Sequence, residues 1–123
     1  MPLLSIVIPR KNESIEQAVM LRAINSQIDY DPQDIEIIVG SCSPGVTALD
    51  VSSLTNISSR IKQVFDPTPY IECPAASRNI ALENAIGTFV TFWDFDDSLL
   101  LPTSLKSVLD VLKQNLETLV FRF

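Results

Sequence analysis

The sequence contains no histidine, and that absence removes more chemistry than any other feature of its composition. Ser-His and Cys-His nucleophile pairs are excluded, as are zinc and haem sites with an imidazole ligand. Cysteine is scarce as well. Cys42 and Cys73 are the whole supply, too few for a four-thiolate zinc cage and without C-x-x-C spacing. Two isolated thiols fit a reducing compartment. Glycine occurs only at Gly40, Gly45 and Gly87, so a G-x-G-x-x-G dinucleotide fingerprint cannot be written. Basic residues are outnumbered, nine Lys and Arg against fifteen Asp and Glu, for a net charge of −6. No basic surplus exists to displace counterions from a nucleic-acid backbone, and no nucleic-acid partner is expected. No run reaches the ~18 apolar residues of a membrane span. The opening MPLLSIVIPRKNE carries its charges after its apolar run, the reverse of a signal peptide. A cytoplasmic protein without an integral membrane segment is expected.

What remains is an ordinary globular composition, 46% hydrophobic and 20% charged, in 123 residues. A chain of that size buries roughly two-thirds of its unfolded surface. It shows no internal repeat or linker, so the expectation is one domain over residues 1–123. Apolar, β-branched runs predict strands at Leu3–Ile8, Ile35–Val39, Ile61–Phe65, Thr88–Trp93 and Thr118–Phe123. Between them, helical spacing predicts a helix capped by Asn12 and running to about Gln27, and another over Ala76–Ile86 with Gly87 just past its end. A Ser/Thr/Asn-rich helix is expected over Val46–Ser58, and a helix capped by Thr103 over Ser104–Asn115. The alternation implies an α/β fold: a Rossmann-like, mostly parallel sheet with helices on both faces. Ligands of such sheets bind beyond the carboxyl ends of the strands.

Few residues stand out as carriers of chemistry. Asp94, Asp96 and Asp97 follow a buried strand within four positions. Their mutual repulsion is relieved by a hard divalent cation such as Mg²⁺ or Mn²⁺, which binds through one or two carboxylates plus substrate phosphates; a solvated turn is the competing reading. Arg78 fits either a surface ion pair with Glu72 or Glu83, or a phosphate clamp. Asn12 and Glu13 read most simply as a helix cap, Trp93 as core, and Cys42 as an inert thiol. Gly40–Thr47, GSCSPGVT, misses the phosphate-binding G-x-x-x-x-G-K-[ST] pattern because Val46 stands where the lysine belongs.

In combination these segments resemble a family 2 glycosyltransferase of the GT-A fold. SIVIPRKNES resembles the family's first strand and its Pro-x-Tyr-Asn-Glu exit. DIEIIVGSCS sits where the family runs a strand into an Asp-Asp-Gly-Ser turn, and ASRNIALENAIGTFVTFWDFDD resembles its Arg-Asn helix, glycine, aromatic strand and Asp-x-Asp-Asp block. LLLPTSLKSVLDVL matches the proline-introduced helix that follows. The correspondence runs from about residue 3 to residue 115.

The resemblance implies a site for a UDP- or GDP-sugar with Mg²⁺ or Mn²⁺, and inverting transfer to a saccharide or lipid-linked acceptor in polysaccharide or glycoconjugate synthesis. Base and ribose would lie over Pro9, Lys11, Asn12 and Glu13 and near Ser41. Arg78 would approach the phosphates, Asp94 the nucleotide sugar, and Asp96 with Asp97 the metal. Two departures accompany the match. Lys11 replaces the family's tyrosine, and Gly40, Ser41 and Cys42 occupy the region of the acidic pair that meets the base. The matched part is expected to stop before the acceptor-binding half, leaving the general base unassigned and inviting self-association or a partner subunit. A catalytically incomplete nucleotide-sugar-binding, regulatory or structural module is the rival expectation.

Overall fold

The computed structural model describes residues 1–66, 74–99 and 101–116. Four parallel strands form one sheet: β1 (Leu4–Pro9), β2 (Ile35–Ser41), β3 (Ile61–Phe65) and β4 (Phe89–Phe92), in the order β3-β2-β1-β4. Three helices accompany them, α1 (Val19–Asn25), α2 (Pro74–Glu83) and α3 (Ser104–Gln114). β1 and β2 are the two inner strands, which explains their near-continuous apolar sequences. Leu4 pairs with Ile35 and Pro9 with Gly40, so the two run in register over the whole of β1.

Alternate side chains face opposite layers. Leu4, Ile6, Ile8, Ile35, Ile37 and Val39 join Leu21 and Ile24 of α1 and Leu105, Leu109 and Leu112 of α3 in the main core. Val7 and Ile38 face the other way, onto Ala81 of α2. Helices therefore cover both faces, as expected. Each fully buried Leu or Ile contributes about 1.5–3 kcal/mol. No helix among the described residues is long and apolar enough to cross a membrane.

Several expectations are corrected. Residues 46–58 form no helix. Leu49, Leu54 and Ile57 are buried without helical spacing, and a single 3₁₀ turn, Ser58–Arg60, precedes β3. Polar side chains take up the backbone instead. The Gln63 amide bonds both the N–H (2.8 Å) and the carbonyl (2.9 Å) of Leu49, and Asp50 accepts the Ser52 N–H at 3.1 Å. The helix after β1 is split: a 3₁₀ turn at Ile15–Gln17 precedes α1. Its capping residue is Ser14 rather than Asn12, and the Ser14 N–H donates to Gln17 Oε1 at 2.9 Å. Gly87 does not terminate α2, which ends at Glu83. It lies instead against β1, where its N–H donates to Ser5 Oγ at 2.8 Å and a Cβ would be only 2.7 Å from the Ser5 nitrogen. The strand expected at 118–123, Glu72 and Cys73 lie outside the described residues.

Candidate functional site

Because every pairing is parallel, the carboxyl ends of the strands share one edge of the sheet. Three segments converge there around an open cleft of about 250 Å³. The loop leaving β1 contributes Pro9, Arg10, Lys11 and Glu13; α2 contributes Ser77 and Arg78; the loop leaving β4 contributes Asp94, Phe95 and Asp96.

Each wall has a local cause. Gly40 lets α2 press onto β2: a Cβ there would clash with the Ser77 carbonyl oxygen and lie 2.9 Å from the Ala81 Cβ. That close approach carries Ser77 and Arg78 to the cleft. On the β4 side, Phe95 is buried and its carbonyl accepts the Met20 N–H at 3.1 Å, tying the loop to α1. The residues on either side of this anchor, Asp94 and Asp96, remain exposed. On the β1 side, the Lys11 N–H donates to Glu13 Oε1 at 2.6 Å, folding the loop over itself.

The cleft is balanced in charge, with Arg10, Lys11 and Arg78 against Glu13, Asp94 and Asp96. Arg78 Nη2 stands 3.9 Å from Asp94 Oδ1, a long pair with both side chains largely in water (41% and 63% exposed). Among the described residues Arg78 forms no ion pair with Glu83. Arg10 is different in kind. It is buried, donating from Nε to the Glu13 carbonyl (2.8 Å) and from Nη1 to the Thr47 carbonyl (2.7 Å), and burial lowers its pKa while Glu13 opposes that shift.

Of the residues singled out in the sequence, Pro9, Lys11, Glu13, Arg78, Asp94 and Asp96 come together on this cleft. Asn12 is exposed on the same loop but outside the lining. Ser41 is fully buried beneath the loop, donating from Oγ to the Lys11 carbonyl at 2.6 Å. Asp97 also lies outside the lining, and its Oδ1 accepts the Ser98 N–H at 2.9 Å. Phe95 is core, as expected of the phenylalanines near Trp93, while Arg10 and Ser77 are lining residues that no sequence motif marks. For Arg10 a signal existed, a cation directly after a buried strand's terminal proline.

Among the described residues no three carboxylates or thiolates gather in a cage for a metal. The β4 side of the cleft offers two, Asp94 and Asp96, while Glu13 is held by the Lys11 N–H. That donor set fits Mg²⁺ or Mn²⁺, which use one or two protein carboxylates when phosphate oxygens and water complete the shell.

Comparison with known proteins gives the family and the fold. The family model described as Glycosyl transferase family 2 matches residues 5–122. The fold is that of GT-A glycosyltransferases, and the chain belongs to glycosyl transferase family 2. It is similar to the GalNAc(5)-diNAcBac-PP-undecaprenol beta-1,3-glucosyltransferase of Campylobacter jejuni, 38% identical over 101 residues, 81% of this chain and 31% of that protein. An uncharacterized glycosyltransferase of Haemophilus influenzae is 37% identical over 100 residues, 79% of this chain and 37% of the relative. The chain thus spans about a third of the length of these curated relatives. Among solved structures, S. aureus TarS 1–349 superposes with a TM-score of 0.68 at 24% identity, over 93% of this chain and 33% of TarS 1–349. The mannosyltransferase PcManGT from Pyrobaculum calidifontis, solved with GDP-Man and Mn²⁺, gives 0.64 at 23% identity, over 88% of this chain and 31% of its own.

Proposed function

We propose that the cleft binds a UDP- or GDP-linked sugar together with Mg²⁺ or Mn²⁺, for inverting transfer to a saccharide or lipid-linked acceptor in polysaccharide or glycoconjugate synthesis. The observation that carries this reading is the meeting of Arg78, Asp94 and Asp96 on one cleft at the carboxyl edge of a parallel sheet. Relatives support it. TarS has been solved with UDP-GlcNAc and PcManGT with GDP-Man and Mn²⁺, while the C. jejuni relative is named for a lipid-linked acceptor. We place the protein in the cytoplasm.

Asp96, with Asp94 beside it, would hold the metal in this reading; Asp97 closes the same turn, its N–H on the Asp94 carbonyl at 3.3 Å. A divalent ion there would supply Lewis-acid neutralisation of the departing diphosphate. Arg78 leaves its long contact with Asp94 and takes a phosphate in a fork, where the guanidinium matches the geometry better than the distant carboxylate does. Pro9, Lys11 and Glu13 form the wall against base and ribose, with Asn12 exposed on the same loop. Inversion needs a carboxylate to take the acceptor's hydroxyl proton. We assign that role to no residue of the cleft: Glu13 holds the Lys11 N–H, and Asp94 and Asp96 would hold the metal.

A second reading, a module that binds nucleotide without transferring sugar, is favoured by the missing carboxylates at Gly40, Ser41 and Cys42. Calorimetric titration with UDP- and GDP-sugars, with and without Mn²⁺, tests the donor site. Metal-dependent binding that disappears in Asp96→Asn is expected, and sugar transfer by the full-length protein separates the two readings. Absence of binding to every nucleotide sugar would contradict both.

A further inference from the structure

The β1–β2 ladder closes with the Arg10 N–H on the Gly40 carbonyl at 2.8 Å, and beyond Arg10 and Ser41 each strand runs on into its own loop. The side chains of these two residues, at the last backbone rung, join the two loops. Arg10, only 3% exposed, spans them in one direction, with Nε on the Glu13 carbonyl at 2.8 Å and Nη1 on the Thr47 carbonyl at 2.7 Å. Ser41, with no exposure, spans them in the other. Its Oγ donates to the Lys11 carbonyl at 2.6 Å and accepts the Ser43 N–H at 3.3 Å.

A buried guanidinium is an expensive way to hold a protein together. It loses its hydration, and among the described residues no carboxylate forms an ion pair with it. An apolar side chain would fill the space at lower cost but would leave the Glu13 and Thr47 carbonyls uncaught. The two bonds therefore secure position: they fix an irregular loop beside the cleft before any ligand arrives. A wall ordered in advance spares the ligand the entropy of ordering it.

We infer that Arg10 and Ser41 are positioning residues, which hold residues 10–14 against residues 41–47 and so pre-form the nucleoside end of the cleft. This rests on the nucleotide-sugar reading above. It also gives Ser41 a role beneath the loop rather than against the ligand. In a chain whose β2 turn lacks the acidic pair, affinity at that end depends on loop geometry.

The test uses Arg10→Met, Arg10→Lys and Ser41→Ala, with amide hydrogen exchange of the unliganded chains and calorimetry with UDP and GDP in the presence of Mn²⁺. In Arg10→Met and Ser41→Ala, amides of residues 11–14 and 43–47 are expected to exchange at least about tenfold faster. Amides of Ile37–Val39 should stay protected, and the nucleotide dissociation constant should rise about tenfold. Arg10→Lys should keep most of that loss, because one ammonium does not reproduce a fork aimed at two carbonyls. If Arg10→Met fails to fold, Ser41→Ala carries the same test with less disturbance. A wild-type chain that binds nucleotide alongside variants that bind equally well overturns this inference alone, as does full rescue by lysine. A wild-type chain that binds neither UDP nor GDP overturns the proposed function and this inference with it.

Discussion

Arg78 faces Asp94 across the cleft at 3.9 Å, joining α2 to the loop after β4 by the longest ion pair among the described residues. Both side chains are well hydrated, so the contact contributes little to stability, in the range of about 0–1 kcal/mol for exposed pairs. A weak pair at the mouth of a site is also an available one. Either partner can turn to a ligand at small cost, the cation to a phosphate and the carboxylate to a metal.

Replacing Arg78 therefore separates stability from binding. In Arg78→Met, the urea unfolding midpoint should move by no more than about 0.5 kcal/mol equivalent. Nucleotide-sugar affinity should fall about tenfold or more, as expected for a lost charge-assisted phosphate contact. Calorimetry and urea titration on the same preparation check both halves; a large stability loss with intact affinity would make Arg78 a structural residue.

Gly40 and Gly45 offer a steric and a conformational contrast. Gly40→Ala drives a Cβ into the Ser77 carbonyl and to within 2.9 Å of Ala81, and should cost about 1–3 kcal/mol by overpacking α2 against β2. Since α2 carries Arg78, nucleotide affinity should drop with it. Gly45 has open space around its Cβ position but a φ of +71°, so Gly45→Ala should cost about 1 kcal/mol through the backbone alone. Thermal unfolding of the two variants checks the order.

Glu36 makes stability depend on acid. Its carboxylate is buried on β2, taking the Ser5 hydroxyl at 2.5 Å and the Ile86 N–H at 2.7 Å through Oε2, with Lys62 Nζ 2.9 Å from Oε1. Burial works to raise its pKa, but the Ile86, Ser5 and Lys62 contacts outweigh it and leave the group below its ordinary value. The unfolded chain then binds the more protons near about pH 4.3, where free glutamate titrates. The stabilisation is complete above that point and is lost as the pH falls through the lower folded value. Urea midpoints measured from about pH 3 to about pH 7 should show this slope, and Glu36→Gln should flatten it while costing about 1–3 kcal/mol at neutral pH.

The two inner strands were legible because Leu4–Ile8 and Ile35–Val39 are buried on both faces, which leaves an apolar signature broken only by the paired Ser5 and Glu36. α3 was legible for the opposite reason: Leu105, Leu109 and Leu112 make one stripe on an otherwise polar helix. Residues 46–58 misled because Leu49, Leu54 and Ile57 anchor an irregular loop, and the partner of its backbone, Gln63, lies on the next strand. Nothing local announces such a contact. In the site, the acidic block and Arg78 could be read from their spacing and their resemblance to a family. The burial of Arg10 and Ser41 could not, because it depends on how closely two loops from different strands approach.

The central claim, that the carboxylates behind β4 hold a divalent cation against a diphosphate, is tested most directly by paramagnetic line broadening. Mn²⁺ would be added in small amounts to the isotope-labelled chain saturated with UDP, and the loss of each backbone amide signal followed by NMR. Broadening should centre on Asp94–Asp97, reach Arg78 and the Lys11–Glu13 loop, and shrink sharply when UDP is omitted or Asp96 is replaced by Asn. The chain carries its own control in a second pocket, where Asp29, Asp31, Asp34 and Asp110 stand with Lys106 and Lys113 and form no metal cage. Broadening centred there, or unchanged by UDP, would contradict the claim.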